Sequence, residues 1–176
     1  MSTISSVQVG CVERTVWVKV EGRGNFQNSA GLKEFVMQMI HRGFRDFIVD
    51  LRDCEQMDST FMGALAGVAL RLREIGQGGL RVVNANERSA GLLSSLGLDQ
   101  LFSVEDRVVG HEVVPAGVAP LQPVPGIGAE ECKQGVLEAH EALAEADSAN
   151  AIKFKDVLEF LRLELNGPGA EQGRED

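Results

Sequence analysis

Hydrophobic positions along the first hundred residues alternate between the spacing of β-strands and that of α-helices. Compact apolar or β-branched runs predict strands at Val7–Val9, Thr15–Val20, Phe47–Leu51 and Leu80–Asn84. Three intervening segments carry apolar residues three and four positions apart, which predicts amphipathic helices. Their stripes are Leu32, Phe35, Val36, Met39 and Ile40, then Phe61, Leu65, Val68, Leu72 and Ile75, then Leu92, Leu93 and Leu96. This order predicts the α/β class, with a mixed sheet of about four to five strands flanked by helices.

The sequence leaves two element boundaries undecided, the start of the first helix and the position of the last strand. The first helix is expected to be capped by Asn28 or Ser29, after a loop that starts at Glu21. A last strand falls either in Phe102–Val104 or in Val108–Val114.

The centre of the pattern is the stretch from Phe47 to Ile75, which predicts a strand, a polar loop over Arg52–Gln56 and a long helix. Asp58 and Ser59 stand at the start of that helix, where their side chains can accept hydrogen bonds from the unpaired N–H groups of the first turn. A phosphate on Ser59 would be compatible with the fold, because a helix N-terminus favours negative charge. Small residues between the apolar positions leave much of the helix surface bare and predict a close approach to the sheet. They are Gly63, Ala64, Ala66, Gly67 and Ala69.

The last third of the chain has a different character. Prolines and glycines are dense from Pro115 to Gly128, which predicts an extended connector. Two amphipathic segments follow, over Glu130–Ala146 and Ile152–Leu165, and predict a helical hairpin that docks on the first domain, on a second copy or on a partner. We therefore expect a domain at 1–114, a linker at 115–128, a helical extension at 129–166 and a disordered tail at 167–176.

Composition narrows the function classes. The net charge of -9 argues against a nucleic-acid surface, which requires clustered Lys and Arg. No apolar run approaches the roughly 20 residues of a membrane span, and the N-terminus lacks the pattern of a signal peptide, so we expect a cytoplasmic protein. The three cysteines are odd in number and far apart, which predicts reduced, mostly buried thiols.

Several segments together resemble a known family. The run Phe47-Ile-Val-Asp-Leu, the sequence Met57-Asp-Ser-Thr, the small-residue helix and Leu96-Gly-Leu-Asp-Gln-Leu-Phe are similar to a STAS domain of the bacterial anti-sigma-factor antagonist type. The resemblance covers roughly Val7 to Val104.

The resemblance implies a phosphoprotein that regulates transcription by partner switching in signal transduction. An anti-sigma factor that is also a serine kinase would bind the unphosphorylated form and release its sigma factor. Phosphorylation would end that binding, and a serine phosphatase would reset the switch. By position the acceptor is Ser59, with Thr60 as the weaker candidate.

The resemblance also implies a contact surface for the partner beside the acceptor. Its expected residues are Asn25, Phe26, Met57, Asp58, Ser59, Thr60, Phe61 and Met62. Phe61 departs from the family, which usually has glycine at that position, and we expect a bulkier exposed surface there. A homodimer is compatible with the sequence, and no cofactor is assigned.

Other interpretations are weighed beside this one. Asp58 and Ser59 are common caps, so Ser59 can be a cap and no more, in a non-switching STAS scaffold or a ligand-sensing module. Gly22-Arg-Gly-Asn-Phe-Gln lacks the third glycine of a dinucleotide fingerprint. Asp50, Asp53 and Asp58 raise a receiver-domain alternative, for which the other acidic and lysine positions are missing.

Catalysis and metal binding find little support in the residue pattern. His41, His111 and His140 are scattered and not at metal-ligand spacing, so we expect exposed or half-buried histidines and no metal site. The sequence shows no paired nucleophile and base, which argues against an enzyme.

Overall fold

The computed structural model describes residues 5–106, 119–120 and 129–166 of the chain, and these residues form one mixed sheet with helices packed against it. The strands are β1 Ser6–Val12, β2 Thr15–Gly24, β3 Asp46–Met57, β4 Gly79–Ala85, β5 Ser103–Asp106 and the two-residue β6 Ala119–Pro120. The helices are α1 Phe26–His41, α2 Ser59–Ile75, α3 Glu87–Ser95, α4 Ala129–Ala146, α5 Ser148–Lys153 and α6 Lys155–Asn166, and a 3-10 turn spans Leu98–Gln100.

The strands follow the order β5-β4-β3-β2-β1-β6 across the sheet. β1 and β2 form an antiparallel hairpin, while β2, β3, β4 and β5 run parallel to their neighbours. Parallel neighbours need crossover connections, and α1, α2 and α3 supply them. The predicted α/β fold and its mixed sheet are confirmed, with β6 added as a short strand beside β1.

The central strand β3 is longer than its apolar run. Residues Arg52–Gln56, predicted as a loop, continue the strand and lie beside the end of β2, where Glu21 pairs with Asp53 and Gly24 with Met57. The register of this pairing shifts twice, so the hydrogen-bonding pattern between β2 and the polar end of β3 is irregular. The prediction of a loop from Glu21 is therefore wrong for residues 21–24, which belong to β2.

The helix N-termini are capped by short polar side chains. Asn25 caps α1 and forms a capping box with Asn28, so the cap lies three residues before Asn28, the earlier of the two predicted caps. Asp58 caps α2, and Asn86 caps α3. At its other end α2 stops at Gly76, whose left-handed backbone (φ 77°) ends the helix.

The core lies between the sheet and the first three helices. The predicted α2 stripe is confirmed, because Phe61, Leu65, Val68 and Leu72 are all fully buried. The α1 stripe is buried at Leu32, Val36, Met39 and Ile40. The last main strand is β5, which overlaps the first of the two predicted positions. The second, 108–114, lies outside the described residues.

The C-terminal helices dock on the first part of the same chain. α4 packs mainly on α2, and its Leu143 is fully buried in the main core. Asn150 is also buried, and its amide donates to the carbonyls of Leu96 and Leu143, both at 2.8 Å. The predicted break at Asp147 is an N-cap that starts the short helix α5.

Of the three docking surfaces that the sequence allowed, the extension therefore uses the first domain of the same chain. Leu137 of α4 packs with Leu158 and Leu161 of α6 in a second apolar cluster, which joins these two helices. The predicted linker at 115–128, apart from residues 119–120, and the predicted tail at 167–176 lie outside the described residues.

The three cysteines are free thiols, as expected for a reduced protein, but they differ in burial. Cys54 is buried, whereas Cys11 and Cys132 are exposed, so the prediction of mostly buried thiols is wrong. Desolvation raises the pKa of the Cys54 thiol. No helix within the described ranges has the length and apolar character needed to cross a membrane.

Candidate functional site around Ser59

Asp58 joins the starts of two helices. One carboxylate oxygen accepts from the backbone N–H of Phe61 at 2.8 Å and caps α2, and the other accepts from the N–H of Phe26 at 3.1 Å. The N–H of Asp58 itself donates to the carbonyl of Gly24 at 2.9 Å. Asp58 therefore fixes the end of β2, the first turn of α1 and the first turn of α2 relative to one another.

Ser59 is the first residue of α2, and its hydroxyl is not used for capping. Its Oγ lies 3.0 Å from Nε2 of His140, which comes from α4. The other ring nitrogen of His140, Nδ1, lies 2.7 Å from the carbonyl oxygen of Val136. Because a carbonyl can only accept, Nδ1 carries a proton, and in the neutral ring Nε2 accepts from the hydroxyl of Ser59.

His140 is buried, with 4% of its surface exposed, and its ring meets Phe154 edge-on at a centroid distance of 5.1 Å. The expectation of exposed or half-buried histidines is wrong for this residue. The statement that the chain holds no paired nucleophile and base is also corrected, because Ser59 and His140 form such a pair in space. Sequence spacing could not show it, since 81 positions separate the two residues.

α4 lies close to α2 because both helices have small residues where they meet. A Cβ built on Gly63 would overlap the backbone carbonyl of Ala139, so only glycine permits this approach. One turn later, a Cβ on Gly67 would meet the side chain of Ala142 at 3.8 Å, an ordinary contact distance. The bare surface predicted for α2 thus receives α4 at these glycines instead of the sheet.

An ion pair at the side of this contact connects α4 to α1. Nζ of Lys33 lies 2.5 Å from a carboxylate oxygen of Glu138, and both side chains are more than a third exposed. The hydrogen bond from Lys33 lowers the pKa of Glu138 against the smaller opposing effect of burial. The cleft between α1, α2 and α4 encloses only about 60 Å³.

Two of the acidic groups raised by the receiver-domain alternative lie apart from this site. Asp50 is buried within β3 and accepts from the amide of Asn84 at 3.0 Å. Asp53 pairs with Lys19 at 3.0 Å, and this contact raises the pKa of Lys19. Within the described parts of the chain, no three His, Cys, Asp or Glu side chains come together as a metal site.

The fold and the order of these motifs match one family over residues 6–110, described as the STAS domain. That is more than half of the chain. The chain belongs to the STAS domain family. The match ends before residue 129, where α4 begins, so helices α4, α5 and α6 lie outside it. No curated protein matches the sequence significantly.

Solved structures share the STAS fold. One structure, described as an anti-sigma factor antagonist from Thermotoga maritima, is 23% identical in sequence to this chain. The match covers 57% of this chain and 86% of the Thermotoga protein, with a TM-score of 0.52. An anti-sigma factor antagonist from Mycobacterium paratuberculosis is 19% identical, covers 58% and 86%, and has a TM-score of 0.51. The phosphorylated Bacillus cell fate determinant SpoIIAA is 18% identical, covers 56% and 90%, and has a TM-score of 0.49.

The residues expected at the partner surface of the STAS domain differ in accessibility. Phe26 is the most open of them, with 52% of its surface exposed, and Asn25, Asp58 and Ser59 are half-buried. Met57, Thr60, Phe61 and Met62 are buried. The expected bulkier surface at Phe61 is wrong, because its ring lies under the end of β2, in contact with the position that a Cβ of Gly24 would occupy.

His140 is the residue at this site that the sequence interpretation missed. The sequence signal that could have identified it is its position on the apolar face of α4, beside Val136, Ala139 and Leu143. A polar ring in such a stripe needs a hydrogen-bond partner when the face is buried. The identity of that partner depends on how α4 docks.

Proposed function

We propose that this protein is an anti-sigma-factor antagonist whose binding to an anti-sigma factor is switched off by phosphorylation at Ser59. The observation that carries the proposal is the hydroxyl of Ser59 at the first position of α2, in a chain of the STAS family. Asp58 caps the helix, so modification of the Ser59 hydroxyl would not remove the cap. The chain itself acts by binding, while a serine kinase and a serine phosphatase supply the chemistry.

The switch would act through local charge. A phosphoserine carries about -1.5 to -2 charges and three strong acceptor oxygens. At the first turn of α2 the helix dipole favours this charge, so the added group need not unfold the domain. It would instead repel a partner surface that had docked against uncharged Ser59, next to the carboxylate of Asp58.

Ser59 is a better acceptor than Thr60 on the grounds of access. Thr60 is buried with 8% of its surface exposed, whereas Ser59 is half-buried at the edge of the α2–α4 contact. A kinase would reach the Ser59 hydroxyl with the smaller displacement of neighbouring groups.

The test uses the anti-sigma factors with kinase domains that are encoded in the source genome. Each is purified and titrated with wild type, Ser59→Ala, Ser59→Asp and the control Thr60→Val, which keeps the shape of Thr60. We expect Ser59→Ala to bind at least as well as wild type and to stay bound in the presence of ATP. Ser59→Asp should bind at least about tenfold more weakly, which corresponds to about 1.4 kcal/mol. Equal binding of Ser59→Ala and Ser59→Asp by every candidate would refute the switch.

Mass spectrometry gives an independent check of the acceptor. Protein recovered from its native cells should carry one phosphate that a phosphatase removes, and the modified peptide should place it on Ser59. A phosphate on Thr60 would move the site and keep the mechanism.

A second candidate function is a non-switching STAS scaffold, favoured by the engagement of Ser59 with His140. In that case the protein would co-purify with its partner whatever the state of position 59. A ligand-sensing version has less support at this site, because the cleft of about 60 Å³ is far smaller than the roughly 300 Å³ of a small-molecule pocket. A thermal-shift screen would detect a ligand that binds elsewhere, since native-state binding raises the Tm.

A further inference from the structure

The part of the proposed partner surface around Ser59 is already occupied by the chain's own α4. This helix contacts the start of α2 through His140 at Ser59 and through Ala139 at Gly63. Ion pairing of Glu138 with Lys33 extends the contact to α1. We call α4, where it lies over Ser59, the cover. The cover lies outside the residues that match the STAS family, so it is an addition to the STAS domain.

A kinase and α4 cannot both reach Ser59. The Oγ atom is in hydrogen-bond contact with Nε2 of His140, and the 3.0 Å between them has no room for a phosphate. His140 is itself buried against Phe154, so its ring cannot turn aside while α4 stays in place. In this arrangement His140 blocks the hydroxyl, and separation of α4 from the first turn of α2 would free it.

The contacts at this end of α4 are of a kind that can open. Those that hold Glu138, Ala139 and His140 on α1 and α2 are one side-chain hydrogen bond, one partly exposed ion pair and the packing of small side chains, and exposed pairs of this type contribute little to stability. The chain is held more firmly from Leu143 onward, about one turn after His140, by Leu143 in the core and by the two hydrogen bonds of Asn150 in α5. An opened α4 would therefore stay near α2 at a high effective concentration.

We propose that α4 is an intramolecular competitor that controls access of the anti-sigma factor and its kinase activity to Ser59. The identity of the competing partner rests on the proposed function, whereas the cover over Ser59 does not. In a two-state opening, the apparent Kd of the partner equals its intrinsic Kd divided by the open fraction. Variants that loosen α4 should therefore bind the partner more tightly and be phosphorylated faster than wild type.

The first experiment measures the cover without any partner. Ser59→Cys is introduced into full-length protein that carries Cys11→Ser and Cys132→Ser, which leaves buried Cys54 as the other thiol. The rate of reaction with 5,5′-dithiobis(2-nitrobenzoate), taken for the thiolate from its pH dependence because His140 lies beside the new thiol, then reports access to position 59. Gly63→Ala is added to force α4 away, because its Cβ overlaps the carbonyl of Ala139. Gly67→Ala is the matched control, since its Cβ meets Ala142 at ordinary contact distance.

We expect Gly63→Ala to raise the rate at position 59 by about tenfold or more, in line with the cost of overpacking. Gly67→Ala should leave the rate within about twofold of its parent, although both changes add the same helix propensity. A fast rate in the parent, equal to that of an open thiol, would overturn the proposal. So would an equal rate in the two glycine variants with unchanged far-UV circular dichroism.

A charge reversal provides a second route if Gly63→Ala fails to fold. Lys33→Glu sets two carboxylates against each other at the α1–α4 contact, and Lys33→Glu with Glu138→Lys restores the pair in reverse. The single change should raise the thiol rate by about twofold to fivefold, as expected for a partly exposed pair, and the double change should return it to the parent value. No rise in the single variant would overturn the proposal.

The second experiment measures competition with an anti-sigma factor that binds in the test above. With Ser59 intact, Lys33→Glu should lower its apparent Kd by the same factor as the rise in thiol rate, and the double reversal should restore it. A Kd unchanged by Lys33→Glu overturns the competition even when the thiol rate supports the cover. Absence of binding by every anti-sigma factor, with the thiol result as expected, refutes the proposed function while the cover over Ser59 stands.

Discussion

The hydroxyl of Ser59 and the ring of His140 lie 3.0 Å apart across two helices that the sequence keeps 81 positions apart. The contact joins the N-terminus of α2, which carries the proposed phosphorylation site, to a helix that lies outside the family match. Its energy can be measured as the coupling between two substitutions, without reference to function.

We expect a double-mutant cycle of Ser59→Ala and His140→Phe to give a coupling of about 1 kcal/mol in urea unfolding, the usual value for a neutral hydrogen bond. Phenylalanine keeps an aromatic ring against Phe154 while it removes both ring nitrogens. The control cycle pairs Ser59→Ala with Arg71→Gln, twelve residues further along α2 and about 18 Å away. Its coupling should be zero within error. A zero value in the first cycle would mean that the hydrogen bond does not hold α4.

Asn150 should be one of the residues on which the docking of the extension depends most. Its amide donates to the carbonyls of Leu96 and Leu143, and both bonds are buried. Asn150→Ala leaves these two acceptors without the donor, so we expect a loss of about 2 kcal/mol or more in the free energy of unfolding. Asn150→Asp should lose more, because it directs carboxylate oxygens at carbonyl oxygens. If both variants unfold at the same urea concentration as wild type, the extension is not anchored there.

Local patterns were sufficient for the framework of this fold and insufficient for its site. The buried runs of β3 and β4 and the apolar stripe of α2 depend on neighbours in sequence, and they predicted the α/β sheet correctly. The polar residues Arg52–Gln56 did not predict a strand, because what holds them is pairing with β2 and not their own hydrophobicity. Long-range packing decides such segments.

The same limit explains the site. Asp58 and Ser59 at a helix start were visible in sequence, but either could have been the cap. Docking of α4 separates the roles, since Asp58 caps α2 and Ser59 turns to His140. The burial of Phe61 also depends on a distant residue, Gly24, whose missing side chain makes space for the ring.

The α1–α4 ion pair should make docking weakly dependent on pH. The pKa of Glu138 is lowered from its ordinary value of 4.5 by Lys33, so the pair contributes stability above that value and loses it as pH falls through the folded pKa. At pH 7 we expect Glu138→Gln to cost at most about 1 kcal/mol in urea unfolding, because the pair is more than a third exposed. The difference from wild type should shrink as pH falls below 4.5, because the stability that the pair contributes is lost as Glu138 becomes protonated. A difference that grows on acidification would contradict the assigned partner.

The packing of Phe61 under the end of β2 gives the last prediction. A Cβ on Gly24 would lie 2.7 Å from the ring of Phe61, so Gly24→Ala should lower the free energy of unfolding by about 1–3 kcal/mol through overpacking. Gly91→Ala in α3 is the control, because its Cβ meets open space and should stabilise by about 0.5–1 kcal/mol. Adding Phe61→Leu to Gly24→Ala should recover part of the loss, since a smaller side chain removes the overlap, whereas Phe61→Leu alone should destabilise by leaving a cavity. Additive costs in the double variant would show that Gly24 and Phe61 do not contact each other in the native protein.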